Sequence, residues 1–261
     1  MAFGRDQREV FDEIAEIYDR VRPTYPPDVV DHLIDCTSLS SRSSILEVGC
    51  GTGQLTRLLA ARRLHITAVE LGERMAQVAR RNLASYPDVR VVRGNFETWE
   101  AGDASCDLVC SAQAFHWVDP EIGYPKAHRL LRPEGWLALL WNLYPGGHTR
   151  LHDEIEEIYR AQAIEIASRW PADSLSSRID RTIAEMSRSG CFAKPDVWQH
   201  SWSCTYSSAE YADLLRTFSD HRSLPGRHLE DLISRICEAI DRHGGRIERK
   251  QVSTLLMSRP I

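Results

Sequence analysis

The 261-residue sequence has no apolar run long enough for a membrane protein. The longest such run near a predicted strand covers only residues 136–141, whereas a membrane span needs about 20 residues. The first residues mix charges throughout and contain no apolar segment of a secretory signal. We therefore expect no membrane association.

Cysteine is present, but it lacks the spacing of a metal or redox motif. The seven cysteines are odd in number, scattered along the chain and without a C-x-x-C pair. This usage suits a reducing compartment. The sequence thus predicts a cytoplasmic protein that folds without disulfides.

Positive charge is also not in excess, since 32 Lys and Arg residues face 37 Asp and Glu residues, a net charge of −5. This balance disfavours a nucleic-acid partner, because phosphate backbones are bound largely through basic side chains. A local basic patch is still compatible with it. The mixed surface leaves homo-oligomerisation open.

The chain does contain short apolar segments that alternate with amphipathic helical patterns. Strands are predicted at residues 45–48, 66–69, 89–92, 107–110 and 136–141, and later at about 197–206 and 251–257. Alternation of this kind predicts an α/β fold in which right-handed crossovers form a mostly parallel sheet with helices on both faces.

Helical and turn signals divide the chain without a long linker. A first helix is expected over Gln7–Arg20, with Asp6 and Glu9 at capping-box spacing, and a turn is expected at Arg132–Gly135. We expect one domain, with N-terminal helices in residues 1–37, a core in 38–144, a helical insertion in 145–190, and the remaining sheet and helices in 191–261.

The loop after the first strand carries the most informative pattern. Gly49, Gly51 and Gly53 alternate there, and Glu47 lies two residues before the first glycine. A dinucleotide site requires G-x-G-x-x-G, but Gln54 occupies the position of the third glycine. A carboxylate beside a pyrophosphate would also be repelled. The pattern therefore favours a ligand that is positively charged near Glu47.

This E-x-G-x-G-x-G pattern resembles the first motif of the class I S-adenosylmethionine-dependent methyltransferases, whose cofactor has an ammonium and a sulfonium but no phosphate. Residues 112–119 and 18–26 are similar to segments of small-molecule methyltransferases related to trans-aconitate methyltransferase. The resemblance covers residues 11–142. It implies a Rossmann-like seven-stranded, mostly parallel sheet with the last strand antiparallel, an N-terminal helical lid, and methyl transfer to a small molecule.

The resemblance also implies roles for individual residues. Glu70 would hold the ribose hydroxyls, and Asn95 would contact the adenine, although Asn95 can instead cap a turn. Arg22 would pair with the cofactor's carboxylate, unless it lies on the solvent side of a proline turn. The whole cofactor-binding set comprises Tyr18, Arg22, Glu47, Gly49, Gly51, Gly53, Glu70, Leu71, Asn95, Phe96 and Gln113.

His116 is the candidate general base, because it follows the fourth strand and titrates near neutral pH. A substrate or cofactor contact, or a purely structural role, is equally open for this residue. Aromatic residues that could line an acceptor pocket are Tyr25, Trp117, Trp141 and Tyr144. His148 and His152 are four residues apart, but no third ligand accompanies them, so we expect no metal site.

Two other functions compete with small-molecule methylation. A macromolecule methyltransferase is opposed by the acidic balance and by Gln113–Trp117, which stands where base-modifying enzymes carry an Asn/Asp-Pro-Pro-aromatic motif. A protein that binds the cofactor as a sensor, without catalysis, is the other alternative. The acceptor itself, a carboxylate, hydroxyl, amine or activated carbon, stays undefined.

Overall fold

The computed structural model describes residues 11–168 and 175–261. The expected capping box at Asp6 and Glu9 and the expected helical residues 7–10 lie outside the described residues. Residues 11–14 form a 3-10 turn, and the first α-helix begins at Ala15, later than expected. The strands are β1 (Ser44–Val48), β2 (His65–Glu70), β3 (Val89–Arg93), β4 (Cys106–Ala112), β5 (Leu131–Leu143), β6 (Asp196–Ser207) and β7 (Arg246–Ser258). The helices are α1 (Ala15–Val21), α2 (Pro27–Thr37), α3 (Gln54–Ala60), α4 (Glu73–Asn82), α5 (Pro120–Leu130), α6 (Arg150–Gln162), α7 (Ile164–Ala167), α8 (Leu175–Ser189), α9 (Ser208–Arg216) and α10 (Gly226–Arg242).

The seven strands form one sheet in the order β3-β2-β1-β4-β5-β7-β6. Strands β1 to β5 pair in parallel, and β7 runs antiparallel to both of its neighbours. Four of the five residues of β1 are buried, as expected for a central strand that helices cover on both faces. The predicted fold class, including the antiparallel last strand, is confirmed.

Strand β5 differs from its prediction at its start. Residues 132–135, expected to form a turn, belong to the strand, which begins at Leu131. The register beside β4 shifts there, because Cys106 pairs with Leu131 and Leu108 with Trp136. The extra residues form an irregularity in the ladder, and a local Pro-Glu-Gly signal cannot distinguish this from a turn between two elements.

Two helix starts follow their sequence signals closely. Ser207 Oγ accepts a hydrogen bond from the amide of Glu210, whose carboxylate accepts one from the amide of Ser207, so a capping box begins α9. Asp119 caps α5 through the amide of Glu121. Helix α9 ends at Arg216, and residues 221–223 form a separate 3-10 helix.

Apolar side chains pack in three main clusters. One cluster joins α2 and α3 to one face of the sheet, and another joins α5 and α8 to the opposite face. The third joins α6, α7, α9 and α10, so that helices α6 and α7 pack against the C-terminal helices. These last helices lie beside the carboxyl ends of the parallel strands. Within the described ranges, no helix combines the length and apolarity needed to traverse a membrane.

Candidate active site

A cavity of about 1120 Å³ opens at the carboxyl edge of the sheet. Its walls come from the segments after β1, β2, β4 and β5, from α1, α6 and α8, and from residues 211–221. Ligands of open α/β sheets bind at this edge, because loops from several strands converge there. A smaller adjoining cavity of about 70 Å³ is lined by Arg22, Tyr25, Glu47 and Gly51 among others.

The glycine loop exposes bare backbone to both cavities. Gly49 and Gly51 have φ values of +69° and +58°, a region that disfavours residues with a Cβ. A Cβ on Gly49 would lie 2.4 Å from the Cβ of Ala114, so this glycine is needed for packing. A Cβ on Gly51 would lie 3.8 Å or more from its nearest neighbours, which include Tyr18, and would take space beside the cavity. Gly51 is therefore the glycine that keeps room for a ligand.

Gly53 serves the scaffold. It has φ +93° at the start of α3, and a Cβ there would lie 3.1 Å from Leu83 Cδ1. The tight helix packing that this implies matches the third role of glycine in nucleotide-binding loops.

Glu47 is a buried carboxyl group, 1% exposed, whose Oε2 accepts a hydrogen bond of 2.7 Å from Thr56 Oγ1. Burial raises its pKa to about 8, against the opposing effect of the Thr56 hydrogen bond. A cation beside this carboxyl group would favour its charged form. Its setting thus suits a positively charged ligand.

Glu70 ties two loops together at the end of β2. Its carboxylate accepts hydrogen bonds from the amides of Gly51 (2.8 Å) and Gly72 (2.9 Å). Burial raises the pKa of Glu70, while these amides act in the opposite direction. Glu70 and Leu71 line the large cavity, and each carboxylate oxygen has a second lone pair with which to accept a ligand hydroxyl.

Asn95 and Phe96 lie together on the wall of the large cavity. Asn95 Oδ1 accepts a 3.0 Å hydrogen bond from the amide of Glu97, which is the turn-capping role that was left open. The Phe96 ring is 4% exposed and packs against Phe115. The turn that Asn95 closes is therefore also the turn that presents Phe96 to the cavity.

Gln113 fixes the exit of β4. It adopts φ +58°, its amide donates to Leu140 O at 2.9 Å, and its Nε2 donates to Asn142 O at 3.0 Å. The side chain lines both cavities. It couples the loop after β4 to the end of β5.

Arg22 points into the molecule, so the solvent-facing alternative is wrong. Its Nε and Nη2 donate to Oγ1 and O of Thr217 at 2.8 and 2.5 Å. The guanidinium carbon lies 5.0 Å from the Tyr18 ring centroid and 4.6 Å from that of Phe218. Arg22 and Tyr18 both line the two cavities. Burial lowers the pKa of Arg22.

His116 lines the large cavity and contacts the core through one ring nitrogen. Trp141 Nε1 donates to His116 Nδ1 at 3.4 Å. Indole is only a donor, so Nδ1 acts as an acceptor and the neutral ring carries its hydrogen on Nε2. Burial, with the charges of Arg178 and Arg181, lowers the pKa of His116. These observations favour a neutral hydrogen-bond donor over a base.

The four candidate acceptor-site aromatics separate into different environments. Trp117 and Tyr144 line the large cavity. Tyr25, 5% exposed, lines the small cavity near Glu47. Trp141, 2% exposed, packs in the core and reaches the site through His116.

The remaining cavity wall carries polar residues that sequence reasoning missed. Tyr159, Asp220, His221 and Arg249 all line it, from α6, the segment after α9, and β7. They are brought together only by tertiary packing, and no spacing in the sequence links them. The sequence signal among these four residues is that Asp220 and His221 are adjacent in the chain.

The two histidines that were considered as metal ligands also line the cavity. Helix α6 begins after Thr149, which caps it, so His148 precedes the helix and does not share its face with His152. In the part of the chain that the structure describes, no group of three or more His, Cys, Asp or Glu side chains could hold a metal ion.

Comparison with known proteins gives a family for the central segment. Residues 46–139 match the family described as a methyltransferase domain. An uncharacterised methyltransferase of Mycobacterium tuberculosis is 38% identical over 138 residues, 53% of this chain and 54% of the relative. A malonyl-[acyl-carrier protein] O-methyltransferase of Paenibacillus is 28% identical over 224 residues, 82% and 78% of the two chains. The chain thus matches about half the length of the mycobacterial relative.

Solved structures show the same fold. A protein described as a type II methyltransferase from Anaeromyxobacter dehalogenans aligns with a TM-score of 0.62 and 22% identity, over 91% of this chain and 97% of that one. Phosphoethanolamine N-methyltransferase 2 of Haemonchus contortus, solved with S-adenosylhomocysteine, aligns with a TM-score of 0.56 and 14% identity, over 97% and 60%. Together with the glycine loop, the comparisons support a methyltransferase domain of the class I, S-adenosylmethionine-dependent kind at residues 46–139, in a chain that has the fold of solved methyltransferases.

Proposed function

We propose that this protein transfers a methyl group from S-adenosylmethionine to a small acceptor that enters the large cavity. The observation that carries the proposal is the bare backbone at Gly51, which lines both cavities: its amide donates to Glu70 on the large cavity, and Glu47 lies on the small one. A nearby cation favours the charged form of a buried carboxyl group, and a carboxylate accepts hydrogen bonds from hydroxyls, so the two groups suit a ligand that carries cations and hydroxyls. The donor set therefore fits the cofactor of the family.

The chain's own side chains would divide the cofactor between them. Glu70 would accept the ribose hydroxyls, and Asn95 with Phe96 would contact the adenine. Arg22 would face the carboxylate, using the part of its guanidinium that Thr217 does not occupy. Glu47, which accepts a hydrogen bond from Thr56, would offset the cofactor's positive charge, either by direct contact or across the glycine loop. The similarity of this chain to enzymes related to trans-aconitate methyltransferase stays a prediction.

When bound, S-adenosylmethionine supplies the methyl carbon, whose bond to sulfur breaks as the bond to the acceptor atom forms. The protein contributes orientation, which is worth about 7–11 kcal/mol of the barrier when donor and acceptor are well aligned. The enclosing wall of α6, α8 and residues 211–221 would exclude water from the acceptor and limit its size.

Calorimetry and a labelled-methyl assay test the proposal. We expect S-adenosylmethionine and S-adenosylhomocysteine to bind the purified protein, and Glu70→Ala to weaken both. NAD and ATP are the controls. Binding of either of these in place of the methyl donor would refute the cofactor assignment.

Methyl transfer itself is tested with acceptor groups of four kinds: carboxylates, hydroxyls, amines and activated carbons. Because one relative is named as a malonyl-[acyl-carrier protein] O-methyltransferase, the carboxylate set includes a carrier-bound malonyl group. Binding without transfer to any acceptor would favour a sensor. Transfer only to amino-acid side chains of a protein or to nucleic acid would refute a small acceptor.

A further inference from the structure

Three side chains on the cavity wall, contributed by α6 and by the segment after α9, form a chain of hydrogen bonds. Asp220 Oδ1 lies 2.7 Å from His221 Nδ1, and His221 Nε2 lies 2.6 Å from the hydroxyl of Tyr159. All three residues line the large cavity. Tyr159 and His221 are each 4% exposed, so water competes little for these hydrogen bonds.

The direction of these hydrogen bonds follows from their chemistry. A carboxylate only accepts, so His221 Nδ1 carries a hydrogen and donates it to Asp220. In the neutral ring Nε2 then has a lone pair, and the Tyr159 hydroxyl donates to it. Asp220 also accepts from the amide of His221 at 2.8 Å, which holds the carboxylate in place.

The charges around the chain support this state. Burial opposes ionisation of Asp220, but the hydrogen bonds and charge of His221, with the charge of Arg22, hold the pKa of Asp220 below its usual range. Burial raises the pKa of the Tyr159 hydroxyl, so this hydroxyl is protonated and neutral at physiological pH. The titratable and charged groups that face Tyr159 and Asp220 are Arg22, Tyr144, Tyr211, His221 and Arg249.

Arg249 supplies a positive charge at the same place. Its guanidinium carbon lies 4.1 Å from the Tyr144 ring centroid, and its Nη1 donates to the Tyr211 hydroxyl at 3.3 Å. Among the described residues, no carboxylate lies within ion-pair distance of Arg249. The positive charge of Arg249 can therefore attract an anion in the cavity. The tyrosine rings beside it favour an anion with a planar ring.

We infer that Tyr159, His221 and Asp220 form a proton relay for the methyl acceptor, and that the acceptor is a weakly acidic hydroxyl, a phenol or an enol. The inference rests on the proposed function. Tyr159 is the catalytic residue that meets the acceptor, while His221 and Asp220 act through it. A relay of this kind is useful only to an acceptor that must lose a proton.

The step balances as a proton transfer. The acceptor oxygen keeps the electron pair of its O–H bond, and its proton passes to the Tyr159 oxygen. Tyr159 passes its own hydrogen to His221 Nε2, which leaves an imidazolium beside the Asp220 carboxylate. Arg249 stabilises the oxyanion while it forms its bond to the methyl carbon and the bond from that carbon to sulfur breaks. After the product leaves, the proton on His221 returns through Tyr159 to water in the cavity.

His116, the base expected from the sequence, fits this task less well. Its Nδ1 already accepts from Trp141. In His221 the free lone pair meets a hydroxyl, and the opposite nitrogen is oriented by a carboxylate. This is the arrangement by which proteins make a histidine an effective base.

The test compares acceptors that differ in acidity. With a weakly acidic phenol such as 4-methylphenol, we expect Tyr159→Phe and His221→Gln to lower turnover by about 10²–10⁴-fold. With 2,4-dinitrophenol, which is already ionised at neutral pH, the same variants should approach wild-type turnover. Raising the pH should likewise rescue the variants with 4-methylphenol. Tyr124→Phe, at a core tyrosine that is 1% exposed, is the matched control and should act as wild type.

Other outcomes overturn the inference. Equal losses with both phenols would show a structural role, and no loss would show no role. Methylation of carboxylates or amines but of no hydroxyl would also refute it. Failure of wild type to transfer methyl to any acceptor would instead refute the proposed function, on which the relay depends.

A spectroscopic measurement needs no acceptor. Nitrogen-15 NMR of labelled protein should show His221 with its hydrogen on Nδ1 and an acceptor lone pair on Nε2, and Tyr159→Phe should shift the Nε2 signal. A hydrogen on Nε2 in the neutral ring would rule out the relay. Calorimetry with S-adenosylmethionine checks that Tyr159→Phe and His221→Gln retain the folded cofactor site.

Discussion

At the scale of single residues, charge and backbone freedom decided what the sequence could reveal. Glu47 and the alternating glycines could be interpreted because a carboxyl group and bare backbone have direct chemical consequences at any position. The Tyr159–His221–Asp220 chain could not, because its members are ordinary helix and loop residues until packing joins α6 to the segment after α9. Its partners are 62 residues apart.

Glu47 should make stability depend on pH. Its pKa in the folded protein is raised from 4.5 to about 8, so the folded state keeps a proton that the unfolded state releases. The associated stability is fully present below about pH 4.5 and is lost as the pH rises through 8, at up to about 1.4 kcal/mol per pH unit. Glu47→Gln should flatten that part of the profile in urea unfolding. Glu165→Gln, at an exposed site, should leave it unchanged.

Gly51→Ala should separate binding from folding. The positive φ makes alanine cost about 1–2 kcal/mol, and no protein atom blocks its Cβ. Gly190, with φ +64° and nothing within 4 Å of a Cβ, lies away from both cavities and is the matched control. We expect similar losses of unfolding free energy in both variants, but weaker S-adenosylmethionine binding only in Gly51→Ala. Equal affinity in the two variants would contradict the role of Gly51.

His116→Ala tests the base that the sequence suggested. Because Trp141 donates to Nδ1, we expect turnover to fall by less than about tenfold, with the shape of the pH–rate profile unchanged. Trp141→Phe, which removes that donor, should have a similarly small effect. A loss of about 100-fold or more, with the lower limb of the pH profile abolished, would instead identify His116 as the base.

At the scale of elements, periodicity predicted the central strands well and the irregular joints poorly. Strands β1 and β2 occupy nearly their expected ranges, because each has a clear apolar pattern. The start of β5 and the end of α9 depend on neighbours distant in sequence. The first is set by pairing with β4, and the second by Asp220, which caps the following 3-10 helix.

The capping box of α9 should matter beyond its own helix. It begins the element whose end presents Thr217 to Arg22. Ser207→Ala removes the hydrogen bond to the Glu210 amide and should lower unfolding free energy by about 1 kcal/mol. Denaturant unfolding measures this loss, and Ser207→Asp, which can still cap, is the control. An unchanged midpoint for Ser207→Ala would show that packing alone fixes the helix start.

At the scale of the molecule, the cavity connects parts of the chain that the sequence separates. Helix α1, the ends of strands β1 to β5, helices α6 and α8 and residues 211–221 all line it. A ligand bound there contacts elements of all three main apolar clusters. Its binding energy should therefore stabilise the fold as a whole, and not one loop.

S-adenosylhomocysteine should consequently raise the midpoint of thermal unfolding in a single transition. A ligand at about 100 times its Kd adds about 2.7 kcal/mol, which corresponds to roughly 5–10 °C for a domain of this size. Calorimetric scans at several ligand concentrations measure the shift, and Glu70→Ala should abolish it at the concentration that stabilises wild type. Two separate unfolding transitions, of which only one responds to the ligand, would show that helices α6, α9 and α10 unfold independently of the sheet. In that case the cavity would close only after the cofactor has bound.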